Sequence, residues 1–351
     1  MSTNIALLGG GTAGHVMPNI ALLPYLKERF DRVIYVGSET GMEREICNKQ
    51  NIPYYSTKTI KFYRRKIWKN AALPFRLTVG ISEAARILKK EDVDVVFSKG
   101  GYAAMPTVFA AHVLGIPIVC HESDKTMGLA NKITARLSER VYTAFSGTFR
   151  RATVLPTPVR REVFEGVPFH PFSDNEKPTL LFMGGSLGAE AINDALSECY
   201  PTLSHKYNIL HITGKHGMPL RSPSYLSVPF ADNIADYFAS ADLIVSRAGA
   251  STLGELTALG KRVVAIPLPK GESRGDQEEN AAYYLERGAI SVLPQSCLNG
   301  DRLTAAIDSS MRNRPPAPAY DRDTPKRLAA ELYDVAKMKH LNRQRNGEIG
   351  E

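Results

Sequence analysis

The sequence predicts an α/β protein of two Rossmann-like, doubly wound domains facing a cleft, and three observations carry that expectation. Short apolar runs alternate with helix-period segments along the whole chain, the order that yields parallel sheets covered by helices on both faces. A strand–glycine turn–helix unit opens the chain at 4–29, and a second one opens at 179–196. The length, 351 residues, exceeds what one core usually organises.

Taken in order, strands are read at "NIALLG" (4–9), "RVIYVG" (32–37), "VDVVFS" (93–98) and "IPIVCHE" (116–122), with helical patterns at 17–29, 41–50, 82–91 and 102–115. Residues 152–178 are rich in Pro and polar groups and read as a linker. The pattern restarts at "TLLFMGGSLGAEAINDAL" and continues through the strands "YNILHIT", "YLSVPF", "DLIVSRAG" and "RVVAIPL". The basic, helical tail from about Lys326 either packs back onto the first domain or frays. The expected domains are therefore 1–159 with a helix at about 326–351, and 160–325. Ligands of such sheets bind beyond the carboxyl ends of the strands, where every glycine turn falls.

Hydrophobic content of 43% and charged content of 23% suit a globular protein. No stretch approaches the roughly 18 apolar residues that cross a bilayer, and the Met1–Gly9 start lacks the features of a signal peptide. Cys47, Cys120, Cys199 and Cys297 are scattered, so reduced thiols in a cytoplasmic protein are expected. A net charge of +8 favours an anionic partner. From 61 to 80, Lys61, Arg64, Arg65, Lys66, Lys69 and Arg76 alternate with large apolar groups including Trp68 and Phe75. That mixture suits an anionic membrane surface, and it equally suits a solvated basic helix end over core residues. No nucleic-acid module accompanies it.

The turn "GGGTAGH" (9–15) spells G-x-G-x-x-G, yet the acid that would bind an NAD ribose is missing. Gly37 stands in its place and Glu39 comes two residues late. His15 is better explained as a functional group at a helix mouth. Two further loops, Gly100–Gly101 with Tyr102 and His121–Asp124, converge on the same rim, which makes His15 and Glu122 the available general bases. "GGSLG" (184–188) matches a hydrolase elbow, but no acid and histidine follow suitably, so Ser186 reads as a phosphate ligand. In "SRAGASTLGE", Ser251 or Thr252 is placed to cap a helix whose free N–H groups face a diphosphate, and Glu255 to accept from ribose hydroxyls. "SRGDQEENA" sets Asp276 and Gln277 near a sugar. Asp92 and Asp94 mimic a D-x-D metal clamp at the wrong end of their strand and read as solvated charge. No cluster has metal-ligand spacing, so no metal and no cofactor are expected.

"GGGTAGHVMPNIAL", "SKGGYAAMPTVFAAHVLGIPIVCHESDKTMGLANK", "TPVR", "MGGSLGA", "SRAGASTLGE" and "GDQEENA" together resemble the bacterial MurG family. The resemblance implies the two-domain GT-B glycosyltransferase fold, and inverting transfer of GlcNAc from UDP-GlcNAc to the MurNAc 4-hydroxyl of undecaprenyl-linked lipid I, giving lipid II. It also implies a peripheral position on the cytoplasmic face of the cell membrane, and leaves room for cell-wall synthesis proteins as partners. By motif, Arg160, Ser186, Ala231, Ala250, Ser251, Thr252, Leu253, Gly254, Glu255 and Gln277 would hold the donor, with Thr12, Ala13, Gly14 and Asp124 closing over the sugar from the first domain. Gly100, Gly101 and Tyr102 would face the acceptor; Arg64, Arg65, Lys66, Trp68 and Phe75 would meet the membrane. The chain departs from the family at Ala13, where many members have glycine, and at Asp124 and Asp276, where others have amides. The competing readings are another UDP-sugar transferase and a non-catalytic nucleotide-sugar-binding protein.

Overall fold

Two seven-stranded sheets organise the chain. The computed structural model describes residues 2–59, 73–173, 176–185, 188–214 and 220–348, with side chains at all of these except 13, 73–75, 340 and 342–348. Two compact units emerge: Met1–Ser123 and Met127–Arg160 with Arg322–Glu351, and Asp124–Thr126 with Arg161–Asp321. The chain crosses between units after Arg160, so Arg160 lies with the first unit and not the second.

The strands of the first unit are β1 (Asn4–Leu8), β2 (Arg32–Ser38), β3 (Tyr54–Thr57), β4 (Val95–Ser98), β5 (Ile118–Glu122), β6 (Arg140–Thr143) and β7 (Thr153–Val154). Its helices are α1 (Ala13–Lys27), α2 (Glu43–Lys49), α3 (Leu73–Lys90), α4 (Met105–Val113) and α5 (Leu129–Leu137). All strands are parallel, in the order β3-β2-β1-β4-β5-β6-β7. Both faces are buried, which is why β1, β2, β4 and β5 are almost continuously apolar. Side chains alternate between faces: Ile5 and Leu7 join one core cluster with α1, Ala6 and Leu8 another with α3 and α4. The supposed linker already contains β7.

The second unit holds β8 (Thr179–Met183), α6 (Glu190–Lys206), β9 (Asn208–Ile212), β10 (Leu220–Ser222), β11 (Tyr225–Val228), α7 (Ile234–Ser240) and β12 (Leu243–Ser246). It continues with α8 (Ala250–Ala258), β13 (Arg262–Ala265), α9 (Asp276–Leu285), β14 (Ser291–Val292) and α10 (Gly300–Arg312). The sheet order is β10-β11-β9-β8-β12-β13-β14, parallel except where β10 runs antiparallel to β11. Leu180, Phe182, Val245 and Val264 pack on one face with Ile192 and Leu196 of α6 and Leu303 and Ile307 of α10. The two ends of this unit meet: Phe164 and Tyr320 stack with ring centroids 6.0 Å apart.

The terminal helix α11 (Thr324–Glu348) settles the two readings of the tail in favour of packing. Leu328, Ala329, Leu332, Val335 and Ala336 are buried in the core cluster that contains Val16, Ile20 and Leu23 of α1. Tyr333 meets Phe30 edge-on at 5.4 Å, and Glu331 pairs with Arg140 and accepts from the Tyr142 hydroxyl. Lys339 donates to Val93 O at 2.9 Å and lies 3.7 Å from Asp94. Asp94 is fully buried, which corrects its reading as solvated charge. It accepts from the Asn4 N–H at 2.9 Å and anchors the foot of the sheet.

Candidate functional site

In the first unit the two glycine turns meet, and Asn131 of α5 lies between the second turn and Glu122. Gly100 and Gly101 adopt φ of +90° and +83°, a region that favours glycine. A Cβ on Gly101 would lie 2.5 Å from Gly10 O, and one on Gly100 would lie 2.3 Å from Asn131 Oδ1. The two glycine turns are therefore in direct contact, and the second one rests on α5. Tyr102 lies against Gly11. Thr12 is the extended N-cap of α1, so the helix starts at Ala13, four residues before the sequence pattern suggested. Thr12 Oγ1 lies 3.1 Å from His15 Nδ1, which fixes the half-buried imidazole at the helix mouth.

Sequence reasoning missed what supports this rim. The buried Glu43, at the start of α2, accepts from the Ser38 N–H and hydroxyl with one oxygen and from the Gly11 N–H at 3.4 Å with the other. It joins the end of β2 to the first glycine turn. The Tyr35 hydroxyl, its pKa pushed well up by burial, donates to Gly9 O at 2.7 Å.

Glu122 is only 3% exposed. Its Oε2 accepts from Asn131 Nδ2 at 3.0 Å and from the Gly128 N–H at 3.2 Å. Beside it, the buried Lys99 ammonium contacts His121 Nδ1 at 2.6 Å and Ser123 Oγ at 2.7 Å. An ammonium only donates, so Nδ1 is the accepting nitrogen and Nε2–H faces Leu155 O at 3.1 Å. Burial, then the Lys99 charge, hold His121 well below the usual histidine pKa.

In the second unit, β12 leads through Gly249 into α8. Gly249 is the N-cap and has no side chain with which to cap the helix. Ser251 and Thr252 lie inside the first turn, which corrects their expected capping role. Ala250 is 7% exposed. Leu253 is wholly buried and its N–H donates to Gly249 O at 2.9 Å, making it a core residue. Gly254 and Glu255 follow in the same helix, and a Cβ on Gly254 would meet open space. Gln277 Oε1 accepts from the N–H groups of Leu268 at 3.0 Å and Ala248 at 3.3 Å. Ala231 is buried just ahead of α7, beside the 70% exposed Phe230. Arg160 Nε is buried with no hydrogen-bond partner among the described residues.

Asp124 was expected to act from the first domain, but it clusters with the second unit. Its carboxylate accepts from Asn280 Nδ2 at 3.0 Å and Arg274 Nη2 at 2.9 Å. Ser186, Arg64, Arg65, Lys66 and Trp68 lie outside the described residues, as does the Phe75 side chain. Among the described residues no group of three His, Cys, Asp or Glu could hold a metal ion, and no helix is long and apolar enough to cross a membrane.

Residues 5–143 match the glycosyltransferase family 28 N-terminal domain, and 179–342 match the family 28 C-terminal domain. A UDP-N-acetylglucosamine–N-acetylmuramyl-(pentapeptide) pyrophosphoryl-undecaprenol N-acetylglucosamine transferase of Geobacillus thermodenitrificans is 40% identical over 328 residues, spanning 90% of this chain and 92% of that protein. The protein of the same name from Clostridium perfringens is 39% identical, over 88% and 90% of the two chains. The crystal structure of Acinetobacter baumannii MurG superposes with a TM-score of 0.70 at 27% identity, covering 97% of this chain and 99% of that one. The calicheamicin glycosyltransferase CalG4, at 13% identity and a TM-score of 0.67, shares the fold alone. With both family domains matched in register and near-full-length identity of this order, the chain belongs to glycosyltransferase family 28, within its MurG branch of N-acetylglucosaminyltransferases.

Proposed function

We propose that this chain transfers N-acetylglucosamine from UDP-N-acetylglucosamine to the 4-hydroxyl of the N-acetylmuramyl sugar of lipid I, inverting the anomeric centre and releasing UDP and lipid II. The observation that carries the reading is the 40% identity, over nine-tenths of the chain, to a transferase named for that reaction.

The second unit takes the donor. The N-terminus of α8, which starts at a glycine N-cap, faces the diphosphate. Glu255 accepts from the ribose hydroxyls, and the backbone at Ala231 holds the uracil. Ser186 serves as a further phosphate ligand. Because Gln277 Oε1 is engaged by two backbone donors, its NH2 is the group that meets a sugar hydroxyl. Ser251, Thr252 and Gly254 line the phosphate side of α8.

The first unit takes the acceptor along Gly100, Gly101 and Tyr102, while Thr12, Ala13 and Gly14 approach the transferred sugar. The acceptor oxygen attacks the anomeric carbon, the bond to the UDP oxygen breaks, and UDP leaves with the electron pair. His15 takes the hydroxyl proton. It is preferred over Glu122, whose buried carboxylate is already committed to Asn131 and Gly128. Negative charge on UDP is met by helix N-termini, so the reaction proceeds without metal or cofactor. The lipid substrate places the protein peripherally at the cytoplasmic membrane face.

The test is incubation with UDP-GlcNAc and lipid I. Lipid II and UDP should appear in equal amounts, and His15→Ala should lower turnover by about 10²-fold or more while UDP-GlcNAc still binds. Binding without product would favour a non-catalytic nucleotide-sugar protein; turnover only with another acceptor would favour a different UDP-sugar transferase.

A further inference from the structure

Asp124 and Asp276 both meet one guanidinium. Arg274 Nη2 lies 2.9 Å from Asp124 Oδ2 and 3.6 Å from Asp276 Oδ2. The Arg274 N–H also donates to Asp276 Oδ1 at 3.1 Å. Asn280, wholly buried in α9, steadies the same segment: its Nδ2 donates to Asp124 Oδ1 at 3.0 Å, and its Oδ1 accepts from the Lys125 N–H at 2.8 Å. Both aspartates are largely shielded, at 16% and 20% side-chain exposure, whereas Arg274 stays 38% exposed.

This arrangement poses an electrostatic problem. Asp276 opens α9, one residue before Gln277, in the unit proposed to hold a nucleotide diphosphate. Two carboxylates beside a diphosphate repel it, where neutral amides would not. We propose that Arg274 is the charge-compensating positioning residue of the donor-sugar subsite: it offsets Asp124 and Asp276 and orients them to accept from sugar hydroxyls. This inference rests on the donor reading of the second unit. A planar guanidinium fork can span two carboxylates; a lysine ammonium is a point charge on a flexible stem. A carboxylate can only accept, so each of the two takes a hydrogen bond only from a donating hydroxyl. The consequence is directional: at these two positions the sugar hydroxyls donate, and a sugar lacking those hydroxyls loses affinity.

Calorimetric titration with UDP-GlcNAc and with UDP tests this on the full chain. Arg274→Ala should weaken UDP-GlcNAc about tenfold, as expected for loss of charge-assisted bonds, and leave UDP within about threefold. Arg274→Lys should fall between. Adding D124N and D276N to R274A should restore UDP-GlcNAc to within about threefold of wild type, because the charge needing compensation is gone. Unaltered binding by R274A, equal weakening of UDP and UDP-GlcNAc, or no rescue by the two amides in a variant with unchanged melting temperature would each overturn the inference. Wild-type protein that binds neither ligand would instead overturn the donor reading, and this inference with it.

Discussion

The orientation of the Gln277 carboxamide is set by chemistry, since only its oxygen can accept from the N–H groups of Ala248 and Leu268. Gln277→Glu keeps an acceptor there, deletes the NH2 donor and adds charge next to Asp276. The Michaelis constant for UDP-GlcNAc should rise about tenfold or more with little change in melting temperature, because a site built around a donor loses its hydrogen bond. Steady-state kinetics beside a thermal melt would check this, and an unchanged constant would remove Gln277 from the sugar contact. His15, Glu255 and Gln277 stand out in the sequence as candidates because each follows a glycine turn. Arg274, Asn280 and Lys99 were not. Their meaning depends on partners that lie far away in sequence, such as the 150 residues between Arg274 and Asp124, and no local pattern encodes such a pairing.

At the scale of elements, the first glycine turn is held from behind by α2 through Glu43. Glu43→Ala should leave the Ser38 and Gly11 N–H groups unpaired in a buried place and cost about 1–3 kcal/mol, with Glu43→Gln milder. Denaturant unfolding measures the loss, and turnover should fall with it as the turn under His15 loosens; equal stability of wild type and E43A would make the contact incidental. The long apolar strands β1, β2, β4 and β5 were readable because burial on both faces writes itself as an unbroken apolar run. The two-residue strands β7 and β14 are too short to show any period, and the antiparallel pairing of β10 with β11 depends on a neighbour. The cap of α8 was misread for a related reason. Ser and Thr are favoured caps in general, yet Gly249 starts this helix and has no side chain to cap it.

Across the whole molecule, each unit buries a neutral histidine. His211, 4% exposed and bonded to Tyr225 and Asn193, is held down to about 4 by burial. His121 is lowered in the same direction. An unfolded histidine takes a proton near its ordinary value of 6.5, so between there and about 4 the unfolded chain binds protons that the folded one refuses. Stability should be full above pH 6.5 and fall with acidification towards pH 4, by up to about 1.4 kcal/mol per pH unit for each group. Chemical denaturation at several pH values would show it. His211→Gln should flatten the slope, and identical slopes would refute the assignment.

The stacked rings of Phe164 and Tyr320 pin together the two ends of an insertion: the second unit interrupts the first, which α11 completes. A module bounded in this way behaves as a graft. On the proposed division of roles, residues 161–321 could be exchanged for the equivalent piece of a relative with a different sugar preference, leaving the first unit and its terminal helix intact. Evolution would then be free to alter what this enzyme gives without altering what it gives it to.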